Sequence, residues 1–408
     1  MALIPHGWPS GPHGPRFVGF FMPRHDYMGL AEHTNALPSG EMTQAIEAVY
    51  HLRCDASQAE ARARALAVEQ SVEMPVSAIE DQRVLAEIVG KVLSISDLGG
   101  GVFEARIALA SETVGHDASQ LMNMLFGNAS LLEDVVLSDA ILPAEVLVGF
   151  GGPRQGFAEL RDRVGARARA LTCTALKPQG LPAEKLAELA GRFALGGVDC
   201  IKDDHGLADQ HYSPFAERVA AVAAAVARAN RATGRRTRYI PSLSGDLDSQ
   251  RRQLKLARQA GLDMAMVAPM LAGASNVHAL ARDNPDFAFI AHPALGGASR
   301  IAPPLLIGKL FRLFGAAAVV FPSYGGRFGY SKGTCRAIAA AALGEWGGLR
   351  PAAPTPAGGM TLSRVPELLE FYGREVMLLI GGNLLSARER LTEETAAFVA
   401  CVEGHSHG

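Results

Sequence analysis

The second part of the chain repeats one pattern, a short apolar run followed by a longer stretch with helical periodicity. Short apolar runs bounded by glycine or proline are typical of buried strands, and apolar positions three and four residues apart are typical of helices. Eight such strands are predicted, at 170–176, 198–202, 237–242, 263–269, 287–292, 317–322, 354–357 and 375–380. Eight alternating units in about 250 residues predict an α/β fold of the (β/α)8 type, a TIM barrel.

The pattern before residue 150 is different, because strands and helices do not alternate regularly. Strands are predicted at 42–54, 102–110 and 135–142, and helices at 59–68 and from Asp117 or Ser119 to residue 124. This mixed order favours an α+β domain. Residues 1–40 are rich in proline, glycine and histidine and predict an irregular arm. The expected organisation is therefore an arm (1–40), an α+β domain (41–150) and a catalytic barrel (151–408).

Composition narrows the class of protein. The 408 residues are 48% hydrophobic and 20% charged, with a net charge of −2, which gives no electrostatic basis for binding nucleic acid or an anionic membrane. No apolar stretch reaches the ~18 residues of a membrane-spanning helix. The five cysteines form no CxxC pair, so reduced thiols are expected. These features predict a cytoplasmic, soluble enzyme with no nucleic-acid or membrane partner.

Ionisable residues gather where the predicted barrel strands end. Lys177 ends the first strand, Lys202 with Asp204 and His205 ends the second, and His292 ends the fifth. Catalytic groups of TIM barrels lie at these carboxyl ends, and crowded charges are costly unless they pair, face water or bind a metal. By itself, the cluster after the second strand is equally well interpreted as a solvated loop with one salt bridge.

Paired glycines follow the last two barrel strands, Gly358-Gly359 after the seventh and Gly381-Gly382 after the eighth. Loops at these positions of TIM barrels commonly bind phosphate through backbone N–H groups, to which glycine permits close approach. One glycine pair usually marks only a turn, but two at the expected places predict a phosphate site.

The first two barrel strands resemble those of the large subunit of ribulose-bisphosphate carboxylase (RuBisCO). Residues 177–181 read Lys-Pro-Gln-Gly-Leu and residues 196–204 read Gly-Gly-Val-Asp-Cys-Ile-Lys-Asp-Asp. The resemblance spans roughly residues 40–400, and residues 321–328 resemble the sixth strand of the non-photosynthetic, form IV RuBisCO-like proteins. The chain is thus identified as a member of this group.

The resemblance implies roles for the strand-end residues. Lys177 would manage protons at the reacting carbonyl. Lys202 would be carbamylated by carbon dioxide, and the carbamate with nearby carboxylates would hold Mg²⁺, which polarises a carbonyl. Asp204 falls on one metal carboxylate of the family, whereas His205 replaces the other, and imidazole is a poor ligand for Mg²⁺. The expected metal ligands are Lys202, Asp204 and His205, with a softer ion or no metal left open.

Two short segments of the N-terminal domain also resemble the family. Residues 67–71, which contain Glu69, and Gly127-Asn128 match segments that reach the active site of the partner subunit. The resemblance therefore implies a homodimer with shared active sites. Without it, Glu69 would be interpreted as an exposed helix-end carboxylate and Asn128 as a turn residue.

Departures from the family argue against carbon fixation. Pro293 follows His292 where the carboxylases carry an arginine for a second phosphate, and residues 324–330 lack their mobile-loop lysine. Arg327 lies in that loop and could hold a substrate carboxylate through its planar fork, or could simply pack against Tyr324 or Tyr330. The predicted catalytic residues are Lys177, Lys202, His292, Arg327, Glu69 and Asn128.

The expected function is an enolate-forming enzyme acting on a phosphorylated ketose or 3-oxo sugar acid. Arg327 weakly favours a decarboxylase of a phosphorylated 3-oxo sugar acid. Two alternatives stay open: an isomerase or enolase of a methylthioribulose-type sugar phosphate, and a catalytically silent sugar-phosphate binder. The replacement at His205 motivates the silent binder, and the retained Lys177 argues against it.

Overall fold

The computed structural model describes residues 45–405, so the predicted arm at 1–40 lies outside the described residues. The N-terminal part contains an antiparallel sheet with strand order β2-β3-β1-β4. Its strands are β1 (Ala45–Arg53), β2 (Lys91–Gly99), β3 (Val102–Ala110) and β4 (Val135–Ile141). Its helices are α1 (Ala59–Glu69), α2 (Ala118–Phe126) and α3 (Ala144–Phe150). Asp117 caps α2 by accepting hydrogen bonds from two backbone N–H groups, as its position predicts.

Strand β2 was not predicted, and its position explains why. It is an edge strand, and most of its residues are exposed or half-buried, including Leu93 and Leu98, whose exposed fractions are 54% and 52%. A strand that buries so little shows no clear alternation of apolar and polar residues. The three predicted strands of this region, in contrast, bury one face against the helices and are confirmed.

The eight predicted barrel strands are all present and parallel to their neighbours. They are β5 (Leu171–Leu176), β6 (Cys200–Asp203), β7 (Arg238–Ile240), β8 (Met264–Val267), β9 (Ala288–Ala291), β10 (Ala316–Pro322), β11 (Ala353–Ala357) and β12 (Met377–Leu379). They form two four-stranded sheets, β12-β5-β6-β7 and β11-β10-β9-β8. Backbone hydrogen bonds between Pro241 or Leu243 and Met266 join β7 to β8, and β11 lies against β12. The sheets therefore close into a barrel.

Helices surround the strands in the expected rhythm. They are α4 (Phe157–Val164), α5 (Ala183–Leu195), α6 (Phe215–Thr233), α7 (Leu247–Gln259), α8 (Pro269–Ala272), α9 (Ala274–Asp283), α10 (Phe311–Leu313), α11 (Lys332–Leu343), α12 (Val365–Tyr372), α13 (Gly382–Leu385) and α14 (Leu391–His405). A π-helical segment, Pro304–Leu310, leads directly into α10. Within residues 45–405, no helix has the length and apolar character needed to cross a membrane.

Helix α4 closes the amino-terminal end of the barrel. Its residues Phe157 and Leu160 pack with the inward-facing side chains of the strands, including Leu171 and Met264. Arg161 at this end forms an ion pair with Glu375, just before β12. With this end closed by an apolar plug, polar chemistry is confined to the carboxyl ends of the strands.

Candidate active site

The alternation of side chains along β5 and β6 places the two predicted lysines. Ala175 pairs in register with Lys202 on the neighbouring strand. Successive side chains point to opposite faces, so Lys177 and Asp204 continue the inward-facing rows two residues further on. Lys202 therefore lies inside the barrel, one layer below Lys177 and Asp204 at the mouth.

Asp204 joins two of the predicted site residues. Its Oδ1 lies 2.5 Å from Nζ of Lys177 and 3.3 Å from Nδ1 of His205. Burial alone would raise the pKa of Asp204, but the hydrogen bonds with His205 and Lys177 outweigh it and hold this pKa well below its usual range. Asp204 is thus an ionised carboxylate, and it fixes the Lys177 ammonium, whose side chain is about one-third exposed, at the barrel mouth.

Lys202 is buried and donates a hydrogen bond from Nζ to the backbone oxygen of Asp203, at 2.8 Å. Burial lowers its pKa, and the nearby Lys177 ammonium lowers it further. A lysine with a lowered pKa supplies the neutral amine more readily, and the neutral amine is the form that accepts a proton or reacts with carbon dioxide.

His292 follows β9 and stacks on His205, with ring centroids 4.3 Å apart and an interplanar angle of 8°. The backbone N–H of Ala294 donates to Nδ1 of His292 at 3.2 Å. Burial, with the charge of Lys202, lowers the pKa of His292 to about 2. The ring is therefore neutral and carries its proton on Nε2, which makes it a hydrogen-bond donor toward a ligand.

Asp203 lies between two site residues in the sequence but serves a different purpose. Its carboxylate is fully buried and accepts hydrogen bonds from Arg218 Nε (3.2 Å), Tyr239 OH (2.8 Å) and the backbone N–H of Ser242 (3.1 Å). Burial raises its pKa, while Arg218, Ser242 and Tyr239 lower it. No sequence motif assigns a role to Asp203, although the period of two in β6 indicates that it faces away from Lys202 and Asp204.

Arg218 connects this buried pair to the site loop. Its Nη atoms donate to the backbone oxygens of Ser213 (2.7 Å) and Ala208 (2.8 Å), in the segment that follows Asp204 and His205. A single buried guanidinium therefore links helix α6, strand β6 and the loop that carries two of the predicted site residues.

The two glycine pairs differ in whether the fold itself requires glycine. Gly358 and Gly359 have φ angles of +89° and +99°, and a Cβ on either would lie about 3 Å from the side chain of Phe328 or Arg327. The backbone and packing of this loop thus require glycine even without a ligand. A Cβ on Gly382, in contrast, would meet no atom of the described chain within 4 Å. Phosphate binding by both pairs stays a prediction.

Arg327 lies against the first of these loops. Its backbone N–H donates to the oxygen of Gly358 at 2.8 Å, and its guanidinium carbon lies 5.4 Å from the ring centroid of Phe328. Its aromatic neighbour is therefore Phe328, whereas the sequence suggested Tyr324 or Tyr330. The contact places Arg327 beside the predicted phosphate loop.

Glu69 and Asn128 are brought together at the surface of the N-terminal part. The Asn128 amide donates from Nδ2 to Glu69 Oε1 and to Glu73 Oε1, both at 2.9 Å. Across residues 45–405, neither Glu69 nor Asn128 forms a hydrogen bond or ion pair with a barrel residue of the same chain. Glu73 was not predictable from the sequence, because it lies after α1 in a stretch without periodicity. Its backbone φ angle is 53°.

The predicted metal ligands fit Mg²⁺ poorly as they are arranged. Asp204 is already held by Lys177, and Asp203 is used by its internal partners. The His205 ring is stacked on His292, and an imidazole nitrogen is a weak donor to a hard cation. No group of three or more His, Cys, Asp or Glu side chains converges as a metal site in the described part of the chain. The assignment of Lys202, Asp204 and His205 as ligands stays a prediction.

Comparisons with known proteins give the wider context. Residues 156–301 match the family "ribulose bisphosphate carboxylase large chain, catalytic domain". The chain is 60% identical over 364 residues to a 5-methylthioribulose-1-phosphate isomerase of Rhodospirillum rubrum, which covers 89% of this chain and 97% of that protein. It is 32% identical to a 2,3-diketo-5-methylthiopentyl-1-phosphate enolase of Geobacillus thermodenitrificans, over 74% of this chain and 78% of that one.

The fold is similar to that of a solved relative. A crystal structure of a RuBisCO-like protein from Rhodopseudomonas palustris superimposes with a TM-score of 0.83 and 52% identity. The match covers 88% of this chain and 98% of that structure. The small N-terminal sheet followed by a parallel-stranded barrel is therefore shared with this group.

Proposed function

Because the chain belongs to the ribulose bisphosphate carboxylase large-chain family, as one of its RuBisCO-like proteins, we propose that it isomerises a methylthioribulose-type sugar phosphate through an enolate. The observation that carries this proposal is the Lys177–Asp204 pair at the barrel mouth, directly above Lys202. The 60% identity to an isomerase supports isomerisation over the decarboxylation predicted from Arg327. The contact of Arg327 with Phe328 adds no support for a carboxylate-bearing substrate.

Isomerisation of a ketose phosphate requires a proton to leave a carbon beside the carbonyl and to return at a different position. Lys177 is the proposed general acid and base: as the free amine its Nζ takes the proton from carbon, and as the resulting ammonium it returns that proton at the second position, while Asp204 keeps Nζ in place. As the carbon loses its proton, negative charge develops on the carbonyl oxygen. In this proposal, Nζ of Lys202 and the Nε2–H of neutral His292 donate hydrogen bonds to that oxygen.

The remaining predicted residues bind or complete the site. The Gly358-Gly359 and Gly381-Gly382 loops hold the single phosphate, with Arg327 beside the first loop. The homodimer implied by the family resemblance brings Glu69 and Asn128 of one subunit to the site of the other. The exposed position of Asn128 and the lack of contact of both residues with their own barrel support this arrangement. A carbamate on Lys202 or a cation at Asp204 would add charge stabilisation at the carbonyl, and the proton transfer proposed here depends on neither.

Proton NMR in D₂O tests the proposed reaction directly. The purified protein is incubated with 5-methylthioribulose 1-phosphate, with and without Mg²⁺ and bicarbonate. Deuterium incorporation beside the carbonyl and formation of an isomeric product are expected. Lys177→Met should abolish both, whereas Lys185→Met, at an exposed lysine paired with Glu188, should leave them intact.

Two results would contradict the proposal and favour a different function. Loss of carboxylate from a phosphorylated 3-oxo sugar acid, without turnover of the ketose phosphate, would make the protein a decarboxylase. Binding of the ketose phosphate without any exchange, in every condition, would make it a catalytically silent binder.

A further inference from the structure

Arg300 lies at the end of the loop that follows β9 and contacts the segment that carries Asn128. Its side chain donates from Nε to the backbone oxygen of Val135 at 3.2 Å and from Nη2 to that of Leu132 at 3.0 Å. Nη2 also donates to the backbone oxygen of Ser130. Three carbonyl groups within seven residues of Asn128 are thus held by one guanidinium.

Backbone contacts strengthen the same junction. The N–H of Leu137 in β4 donates to the oxygen of Arg300 at 2.9 Å, and the N–H of Ala302 donates to the oxygen of Leu137 at 2.8 Å. On both sides of Asn128, the Gln70 side chain adds contacts: it donates to the backbone oxygen of Met124 at 2.8 Å and accepts from the N–H of Ala129 at 3.0 Å. The Asn128 segment is therefore fixed to Gln70, just after helix α1, at its start and to the barrel at its end.

The loop that delivers Arg300 is itself well ordered by local hydrogen bonds. It begins at His292 in the active site. Within it, Gly296 N–H donates to Pro293 O at 2.9 Å, and Ala298 N–H donates to Leu295 O at 3.0 Å. The Ser299 hydroxyl donates to the oxygen of Gly296 at 3.0 Å. Local hydrogen bonds thus constrain the loop between His292 and Arg300.

We propose that Arg300 is a positioning residue that holds Asn128, and through it Glu69, in the orientation needed at the active site of the neighbouring subunit. This inference rests on the proposed function, in which these two residues act across a homodimer. Arginine suits the task because its planar fork reaches several carbonyls at once, whereas a lysine ammonium is a single point charge on a flexible stem.

Loss of this guanidinium should lower turnover without changing the barrel residues that carry the chemistry. A displacement of about 1 Å in a positioned group can cost on the order of a hundredfold in rate. Arg300→Met is expected to lower kcat/KM by about ten- to a hundredfold, and Arg300→Lys by less, because one carbonyl contact can be kept. Arg258→Met, at an exposed arginine paired with Asp286, is the matched control and should be neutral.

Hybrid dimers distinguish positioning across subunits from an effect within one subunit. Two subunits with different affinity tags are co-expressed, one Lys177→Met and the other Arg300→Met, and the hybrid is purified over both tags. If Arg300 serves the neighbouring site, the intact Arg300 of the first subunit completes the barrel site of the second. The hybrid should then recover about half of the native activity.

A second hybrid separates failure of this inference from failure of the proposed function. Lys177→Met paired with Asn128→Ala should also recover about half of the native activity. Recovery with Asn128→Ala but not with Arg300→Met would overturn the role of Arg300. No recovery with Asn128→Ala would overturn the shared-site dimer itself. An Arg300→Met homodimer with native kcat/KM would also refute the inference, and light scattering confirms that each variant is a folded dimer.

Discussion

Replacing Arg218 with methionine tests the buried ion pair beneath the active site. Both Arg218 and Asp203 are fully buried, and Nε of Arg218 lies 3.2 Å from Oδ2 of Asp203. The variant keeps an unbranched apolar stem of similar length but removes the guanidinium. Asp203 then retains only the Tyr239 hydroxyl and the Ser242 N–H as donors, and two carbonyls of the site loop lose theirs.

The expected loss is large because a buried charge is left without its counter-ion. Removal of one partner from a buried ion pair typically costs about 3–5 kcal/mol. The two lost hydrogen bonds to backbone oxygens are part of that cost. Arg228→Met, at an exposed position of the same helix α6, should change the free energy of unfolding by less than about 0.5 kcal/mol.

The loss should also depend on pH in a defined direction. Burial raises the pKa of Asp203, and among the groups that lower it again Arg218 has the largest effect. Without Arg218 this pKa rises further, so the folded variant keeps a proton that the unfolded chain releases above about pH 3.9. Stability of the variant therefore falls as pH rises toward the folded pKa. The difference from the native protein should widen as the pH rises above about 3.9.

Urea unfolding followed by circular dichroism, at several pH values, measures both effects. The double variant Asp203→Leu/Arg218→Met removes both charges and should be more stable than Arg218→Met alone. A loss below about 1 kcal/mol for Arg218→Met, or a loss that does not change with pH, would refute the reasoning.

Three further outcomes are expected. Asp204→Asn should lower kcat by about ten- to a hundredfold in steady-state assays, because Lys177 loses the carboxylate that positions it, while Glu188→Gln should not. Gly382→Ala should raise KM about tenfold, because the added methyl group obstructs the phosphate, and should leave the thermal midpoint of unfolding unchanged. Gly404→Ala is the control. An unchanged KM in Gly382→Ala would contradict a phosphate site there. His292→Gln should make stability less sensitive to acid. The folded ring has a pKa of about 2 and stays neutral, whereas the unfolded ring binds a proton below about pH 6.5. The stability of the native protein therefore decreases as the pH falls below about 6.5. An identical acid dependence of the urea midpoint in both proteins would contradict the last expectation.

The barrel was predictable from the sequence because parallel strands covered on both faces are nearly continuous apolar runs. Even β11, which lies among prolines, was placed correctly, and observed strand ends differ from the predicted ones by no more than about two residues. The edge strand β2 was not predictable, since an exposed edge strand shows little alternation of apolar and polar residues. The cluster of Lys177, Asp204 and His205 was also predictable, because strand ends bring such residues together.

Interactions that join distant parts of the chain were not predictable. Arg218 lies in a helix with many arginines and alanines, and nothing in its local sequence distinguishes it from a solvated charge. Its partner Asp203 is adjacent to Asp204, yet the two carboxylates point in opposite directions. Arg300 likewise binds backbone oxygens, which carry no sequence signal at all. Pattern analysis finds where charges occur, whereas packing decides which of them are buried and paired.

The closed end of the barrel imposes an order on events at Lys202. Helix α4 fills the end below this amine, so a small molecule reaches it through the mouth, where the proposed substrate site also lies. Anything that must react with the amine has to arrive before the substrate does. A ligand bound at the mouth would then slow any reaction of this amine with a small reagent. The plug at one end of the barrel thus leaves a single route to this amine, from the other end.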